Sequence, residues 1–216
     1  MALTLPHGAM VQAFAAVPDN DLPDVPNHNV CPTTRVHVVT GGAGRRLRAM
    51  RWGLIPRWYD TPNDGPLLIN ARAETVAEKP AFRDSVRARR CLVVASGYYE
   101  WTVTPQKERL PWYIKRADAA PMALGAIWRA WTGPDGDVAT CAVVTTAAND
   151  AMGRVHHRMP LLLEPDDWAL WLGEAGHGAA RLMRPAGEDR LCAVRVGTAV
   201  NSSRASGPEL IVPLDG

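Results

Sequence analysis

The alternation of apolar and polar residues along the chain predicts many short β-strands and few helices. The strand-like segments follow one another at close spacing, which is typical of an antiparallel barrel or sandwich. The predicted strands are RVHVVT (35–40), LRAMRWG (47–53), PLLIN (66–70), RCLVVASGYYEW (90–101), PWYIKR (111–116), PMALGAIW (121–128), VATCAVVTTAA (138–148), MPLLLE (159–164) and LCAVRVG (191–197).

Helical spacing is found in four segments, residues 8–17, 75–90, 165–173 and 174–183. The stretch 17–34, rich in proline and aspartate, is expected to be a surface crossing. We therefore expect an α+β fold with a mainly antiparallel, barrel-like β core and flanking helices. A chain of 216 residues can bury a large core, and we expect one domain spanning residues 1–216.

Composition excludes several classes of protein. Hydrophobic residues make up 47% and charged residues 21%, as in soluble globular proteins and unlike disordered ones. Apolar runs are too short to span a bilayer, and the first residues lack the pattern of a secretory signal, so no membrane partner is expected. The net charge of +2 does not by itself indicate a nucleic-acid binder, although arginines cluster in segments 45–51 and 83–90.

The four cysteines, Cys31, Cys91, Cys141 and Cys192, lie far apart and form no C-x-x-C motif. This spacing argues against a zinc site or a dithiol redox motif, so no metal is expected. Cys91 and Cys141 stand in apolar runs, which favours buried, inert thiols in a reducing compartment.

The segment LLINARAE (67–74) begins as a buried strand and ends in polar residues. If the extended form persists, period-two geometry places Asn70, Arg72 and Glu74 on one face. That face could belong to a site, or the strand could simply run out into solvent.

Glu100, in SGYYEW (96–101), ends an apolar strand between two aromatic residues. If Glu100 is buried, desolvation raises its pKa and suits it to transfer protons near neutrality. A strand-end glutamate that points into water is the alternative.

Further candidates come from three other segments. In GRVHHRMP (153–160), His156 and Arg158 share one face of an extended stretch and could meet an anion together, or the histidine could be structural. Thr145 in VVTTAAND supplies a hydroxyl group that could bind phosphate. Trp58, beside Arg57 in a proline-flanked turn, could stack on an unpaired base, although core packing also explains tryptophans.

Five motifs, WGLIPRW, NARAET, RRCLVVASGYYEW, TTAAN and HHRMP, occur in this order. Together they resemble the SOS response-associated peptidase (SRAP) family, whose members process abasic sites in single-stranded DNA. The resemblance covers about residues 2 to 213. It implies an enzyme with abasic-site lyase and self-processing peptidase activity that acts in a basic cleft. It further implies that single-stranded DNA with abasic sites is the partner. We expect no cofactor and a cytoplasmic, nucleoid-associated protein; the oligomeric state stays open, with a monomer as the default expectation.

The resemblance also assigns roles to individual residues. Asn70, Glu100 and His156 match the family's active-site residues. Arg72 and Arg158 match arginines that hold phosphates, and Trp58 and Pro32 match residues near displaced bases. Thr145 is added to the expected DNA contacts because of its hydroxyl group.

The beginning of the chain departs from the family pattern. Family members begin Met-Cys-Gly-Arg, and the exposed cysteine closes a thiazolidine ring on the sugar aldehyde with its α-amine and its thiol. This chain begins MALTLPH, so Met1 stands where the family has an aromatic residue. Cys31 is the nearest cysteine by motif position, but an internal cysteine has no free α-amine. We expect the chain as printed to bind single-stranded DNA without stable crosslinking; a late start and a natural variant both explain the difference.

Two other functions stay open. The first is a non-catalytic module that binds single-stranded DNA. The second is a cysteine peptidase in which Cys91 or Cys141 forms a dyad with His156, although the apolar neighbours of both cysteines argue against a reactive thiolate.

Overall fold

The structure is a computed structural model and describes residues 1–134 and 136–214. The strands are β1 (Ala16–Pro18), β2 (Arg35–Thr40), β3 (Arg45–Trp52), β4 (Asn70–Arg72), β5 (Arg90–Ala95), β6 (Tyr98–Val103), β7 (Arg109–Arg116), β8 (Met122–Gly133), β9 (Gly136–Ala147), β10 (Arg158–Pro160) and β11 (Leu191–Arg195). The α-helices are α1 (His7–Phe14), α2 (Arg83–Ala88), α3 (Asp150–Gly153) and α4 (Pro165–Leu172). Short 3-10 helices span Ala179–Leu182, Thr198–Asn201 and Pro208–Ile211.

Five strands close into a barrel in the order β3-β2-β5-β8-β9. Four of the contacts around the barrel are antiparallel, and the fifth is a parallel pairing of β3 with β9 that joins Trp52 to Cys141. Strand β1 extends the sheet beside β3, while β4 and β10 pair with β9. The predicted α+β fold with a barrel-like, mainly antiparallel core is confirmed, and three parallel pairings make the sheet mixed.

After Arg90, strand β5 is apolar because both of its faces are covered. Cys91 through Ala95 are buried, as expected for a strand with a filled barrel on one side and a helix on the other. Trp171 of α4 is fully buried, and its Nε1 donates to the Cys91 carbonyl over 2.8 Å. Helix α4 begins with Pro165 and two aspartates, as the sequence predicts.

A second, antiparallel sheet of three strands, in the order β11-β7-β6, lies beside the barrel. One face contributes Tyr98 and Ile114 to the main core. The other face forms a smaller apolar cluster, which includes Tyr113, Val200 and Leu210. Strand β6 is an edge strand of this sheet.

The predicted strand 90–101 is wrong in one respect, because the chain changes sheets within it. Strand β5 ends at Ala95 in the barrel, and β6 begins at Tyr98 in the second sheet. Between them, a Cβ added to Gly97 would lie 2.4 Å from the Tyr113 ring, so only glycine fits there without a shift. Ala2 donates its N–H to the Gly97 carbonyl over 2.9 Å and fixes this junction.

Three other predicted elements are also corrected. Segment 66–70 forms an isolated bridge at Leu68, and the regular strand β4 starts only at Asn70. Within segment 75–90, turns precede a helix limited to Arg83–Ala88, since Pro80 interrupts the helical pattern. Strand β1 lies partly in the stretch expected to be a surface crossing. In the part of the chain that the structure describes, no helix has the length and apolar character needed to cross a membrane.

Candidate active site

A cleft of about 690 Å³ opens between the barrel and the second sheet. Asn70, Glu100 and His156, the three residues predicted to be catalytic, all line it. Four of the five residues predicted to contact DNA also line it, namely Arg72, Arg158, Pro32 and Thr145. Residues that are distant in sequence therefore converge in one place, while their chemical roles stay predictions.

Strand β4 supplies the first wall of the cleft. Its exposure alternates, with Asn70 and Arg72 exposed and Ala71 fully buried, so the two polar residues share a face as period two predicts. Parallel pairing with Val143–Thr145 of β9 holds the strand in place. The strand ends at Arg72, and Glu74 follows in a turn instead of continuing the row.

Arg158 joins this wall through a bidentate ion pair. Its Nη1 and Nη2 donate to the two carboxylate oxygens of Glu74 over 2.8 and 2.9 Å. Nη2 also donates to the Thr145 carbonyl over 2.5 Å. Hydrogen bonding from Arg158 lowers the pKa of Glu74, so the carboxylate stays charged. Much of the positive charge of Arg158 is therefore compensated within the protein.

Glu100 and His156 lie beside each other in the cleft as a carboxyl–imidazole pair. Glu100 lies on β6, His156 follows α3, and their Oε1 and Nδ1 atoms are 3.8 Å apart. Burial raises the pKa of Glu100, and the nearby His156 opposes that shift. A carboxyl group with a raised pKa beside an imidazole is suited to transferring protons.

Hydrogen bonds hold the loop that carries His156 in place. Asn149 caps α3, because its Oδ1 accepts the N–H of Met152 over 2.9 Å. The backbone N–H of His156 then donates to the Met152 carbonyl over 3.0 Å. The Nδ1 atom of His156 lies 3.1 Å from the carbonyl oxygen and 3.2 Å from the backbone nitrogen of Arg158. Its tautomer decides which of these it bonds.

Met1 also lies in the cleft. Its α-amine donates to the Val30 carbonyl over 2.9 Å. Burial lowers the pKa of this amine to about 5, although Cys31 and Glu100 oppose the shift. An amine placed here is largely uncharged at neutral pH, which is its nucleophilic form.

Trp58 is the one predicted DNA contact that, within residues 1–134 and 136–214, lies outside the set lining the cleft. Trp58 is 52% exposed and lies edge-on to Tyr59, with the ring centroids 6.4 Å apart. Trp52, by contrast, is buried as expected and donates its Nε1 to the Ile69 carbonyl over 3.0 Å. The role of Trp58 in base stacking stays a prediction.

The second sheet and the 3-10 helix beside it form the second wall of the cleft. The sequence analysis does not identify three residues of this wall. Trp101 of β6, Arg109 of β7 and Asn201 of the 3-10 helix Thr198–Asn201 line the cleft. A partial signal exists for Arg109, since the polar TPQKE stretch before it indicates a hairpin that brings β7 back beside β6. Nothing in the sequence indicates Asn201, which reaches the cleft through packing of a 3-10 helix.

Both the fold and the motifs define one class of protein: the chain belongs to the SOS response associated peptidase (SRAP) family, whose model matches residues 1–203. The chain is 35% identical over 191 residues to the abasic site processing protein YoqW of Bacillus subtilis, covering 86% of this chain and 85% of that protein. It is 30% identical over 207 residues to the abasic site processing protein YedK of Escherichia coli, covering 91% and 90%. A crystal structure of a Bacteroides thetaiotaomicron protein has a TM-score of 0.74 at 25% identity, covering 84% of this chain and 82% of that one.

Proposed function

We propose that this protein binds single-stranded DNA in the cleft and processes abasic sites there. The observation that carries the proposal is the convergence of Asn70, Glu100 and His156, which are far apart in sequence, in one cleft. The names of its relatives support the same activity. A groove with cations and aromatic side chains suits an unpaired strand, whose bases can stack while its phosphates pair with arginines.

The chemistry that the family resemblance implies uses an amino-terminal cysteine. Its α-amine attacks the aldehyde carbon of the ring-opened sugar, and water leaves to give a Schiff base. The thiol then adds to the same carbon, its proton passes to the nitrogen, and a thiazolidine ring closes. The position of Met1 supports this reaction, because this residue lines the same cleft as Asn70, Glu100 and His156.

Glu100, His156 and Asn70 each have a distinct part in this mechanism. Glu100 takes up and returns protons as water leaves and the thiol adds, because burial raises its pKa. His156, 3.8 Å from Glu100, assists opening of the sugar ring. Asn70 is exposed to the cleft and positions the amino terminus.

Two versions of the protein test this proposal. The first begins at Met1 as printed; in the second, Phe replaces Met1 and Cys-Gly-Arg precedes it after removal of the initiator methionine. Each is incubated with single-stranded oligonucleotide containing an abasic site and analysed by denaturing electrophoresis. We expect both to bind the oligonucleotide and only the second to give a shifted, denaturation-resistant band.

Each other result has a definite meaning. A shifted band with the first version would contradict the need for an amino-terminal cysteine. Binding by both without a band in either favours a non-catalytic single-stranded DNA-binding module. Absence of binding by both overturns the proposal.

A cysteine peptidase is less well supported. Cys91 and Cys141 are fully buried, and burial raises the pKa of Cys91 and that of Cys141, to about 12 in the latter case. A thiol of this kind does not ionise at neutral pH. Rapid labelling of either cysteine by iodoacetamide in the native protein would revive this alternative.

A further inference from the structure

The cationic side chains of the cleft are not equivalent. Three arginines line it, Arg72, Arg109 and Arg158. Arg158 is paired with Glu74, whereas Arg72 and Arg109 form no ion pair with any carboxylate of the described residues. Arg72 belongs to β4 on the barrel side and Arg109 to β7 on the second sheet, so one uncompensated positive charge stands on each wall.

Arg109 is held over an aromatic ring. It begins β7 directly opposite Val103 of β6, which places its side chain on the same face as Trp101, two residues earlier. Its guanidinium carbon lies 4.7 Å from the centroid of the Trp101 ring. This is a cation–π contact, which orients the guanidinium and leaves its N–H groups free to donate.

Two hydrogen bonds made by Asn201 hold the Trp101 ring against the backbone of β7. The Nε1 of Trp101 donates to Oδ1 of Asn201 over 2.6 Å. The Nδ2 of Asn201 donates back to the Arg109 carbonyl over 3.2 Å. The ring, the amide and the β7 backbone therefore hold one another, and Arg109 lies on a platform whose orientation is set before any ligand arrives.

We infer that Arg109 is a phosphate-binding residue of the second wall, opposite Arg72, so that the DNA backbone is contacted from both sides of the cleft. The inference rests on the proposed function. Arg109 is also close enough to Glu100 to act against the rise in the pKa of that carboxyl. A phosphate bound at Arg109 thus keeps the DNA beside the acid–base pair.

The same sheet supplies a matched control. Arg195 on β11 stacks over Trp112 of β7, with its guanidinium carbon 5.2 Å from the ring centroid. The pair has the same chemistry as Arg109 with Trp101, but neither Arg195 nor Trp112 is among the described residues that line the cleft. Replacing Arg195 removes an equal charge from the same sheet outside the proposed path of the DNA.

The experiment measures the affinity of the printed chain for a single-stranded oligonucleotide over a range of salt concentrations. Each phosphate contact contributes about 0.7 to the slope of log K against log salt for single strands. We expect Arg109→Gln to lower the slope by about 0.7 and to weaken binding by up to about fivefold, as for one exposed ion pair. Arg109→Lys keeps the slope, and Arg195→Gln changes neither quantity.

Thermal unfolding of each variant verifies that the fold is retained. If Arg72→Gln lowers the slope but Arg109→Gln does not, the inference is overturned while the proposed function stands. An equal loss with Arg195→Gln also overturns it, because the effect then follows the net charge of the sheet. If the unsubstituted protein does not bind, the proposed function itself fails.

Discussion

The two walls of the cleft hold their functional groups by different means. On the barrel wall, Arg72 extends from β4, which pairs with β9, and Arg158 is fixed by Glu74. On the second wall, Glu100 and Trp101 are neighbours on an edge strand, and both border the cleft. The barrel wall thus holds one arginine paired with a carboxylate, Arg158, and one without such a partner among the described residues, Arg72, whereas the second wall combines a partly buried acid with an aromatic platform.

Because of this difference, we expect the two walls to have different functions in the proposed mechanism. Compensated charges hold a shape at little cost, since the Glu74 carboxylate accepts one N–H from each of the two terminal nitrogens of Arg158. A carboxyl group buried without a cationic hydrogen-bond partner destabilises its own charged form, which is the property that acid–base chemistry requires. In the proposed mechanism the proton-transferring group, Glu100, therefore belongs to the second wall, and both walls bind the DNA.

We expect the largest effect when the carboxyl group of Glu100 is replaced by an amide. In the protein that begins Cys-Gly-Arg-Phe, we expect Glu100→Gln to lower the crosslinking rate by about a hundredfold or more, the usual contribution of a general acid–base. DNA affinity should change by less than about twofold, since the proposal assigns the phosphate contacts to arginines and not to Glu100. Glu108→Gln, in the exposed turn of the same hairpin, is the control and should react normally. An unchanged rate for Glu100→Gln would remove the acid–base role.

The melting temperature of the Glu100→Gln variant, relative to that of the unsubstituted protein, should depend on pH. Because burial raises the pKa of Glu100 above its ordinary value of 4.5, the folded protein disfavours the carboxylate at pH 7. Glu100→Gln should therefore raise the melting temperature at pH 7. The gain should disappear below about pH 4, where folded and unfolded states both carry the protonated acid. A gain that is independent of pH would mean that the carboxylate is not strained in the fold.

A second test acts on the junction that places the walls beside each other. Gly97→Ala forces its methyl group against the Tyr113 ring, where the new Cβ would lie 2.4 Å away. We expect a loss of about 1–3 kcal/mol in the free energy of unfolding, measured by chemical denaturation. Gly8→Ala in α1 is the matched control, since no heavy atom lies within 4 Å of its added Cβ. Equal stability of the two variants would show that the junction yields readily.

More of the barrel wall than of the second wall can be predicted from the sequence, for a physical reason. On the barrel wall, period two alone predicts that Asn70 and Arg72 share a face, and the structure agrees. The strand ends before Glu74, yet Glu74 still reaches the site by pairing with Arg158, 84 residues away. Tertiary contact, not strand geometry, places that carboxylate.

On the second wall the decisive facts are not local. Whether Glu100 is buried depends on how the second sheet packs against the barrel, and SGYYEW alone is equally consistent with a solvated side chain. The contact of Asn201 with the Arg109 carbonyl spans 92 residues and depends on where a 3-10 helix packs. The family motifs place Glu100 in the site, but they do not reveal the platform of Trp101 and Arg109.

We expect the smallest effect when Arg158 loses the carboxylate with which it is paired. Glu74→Gln removes the negative charge that pairs with Arg158, whereas the hydrogen bond from Arg158 to the Thr145 carbonyl remains. We expect single-stranded DNA to bind severalfold more tightly and the salt slope to rise by up to about 0.7, because one more cation becomes available to phosphate. Glu78→Gln, an exposed neighbour without an ion pair in the described part of the chain, should behave like the unsubstituted protein. Weaker binding by Glu74→Gln would instead mean that Glu74 orients Arg158 toward the DNA, so that the barrel wall uses its carboxylate to position a cation rather than to mask it.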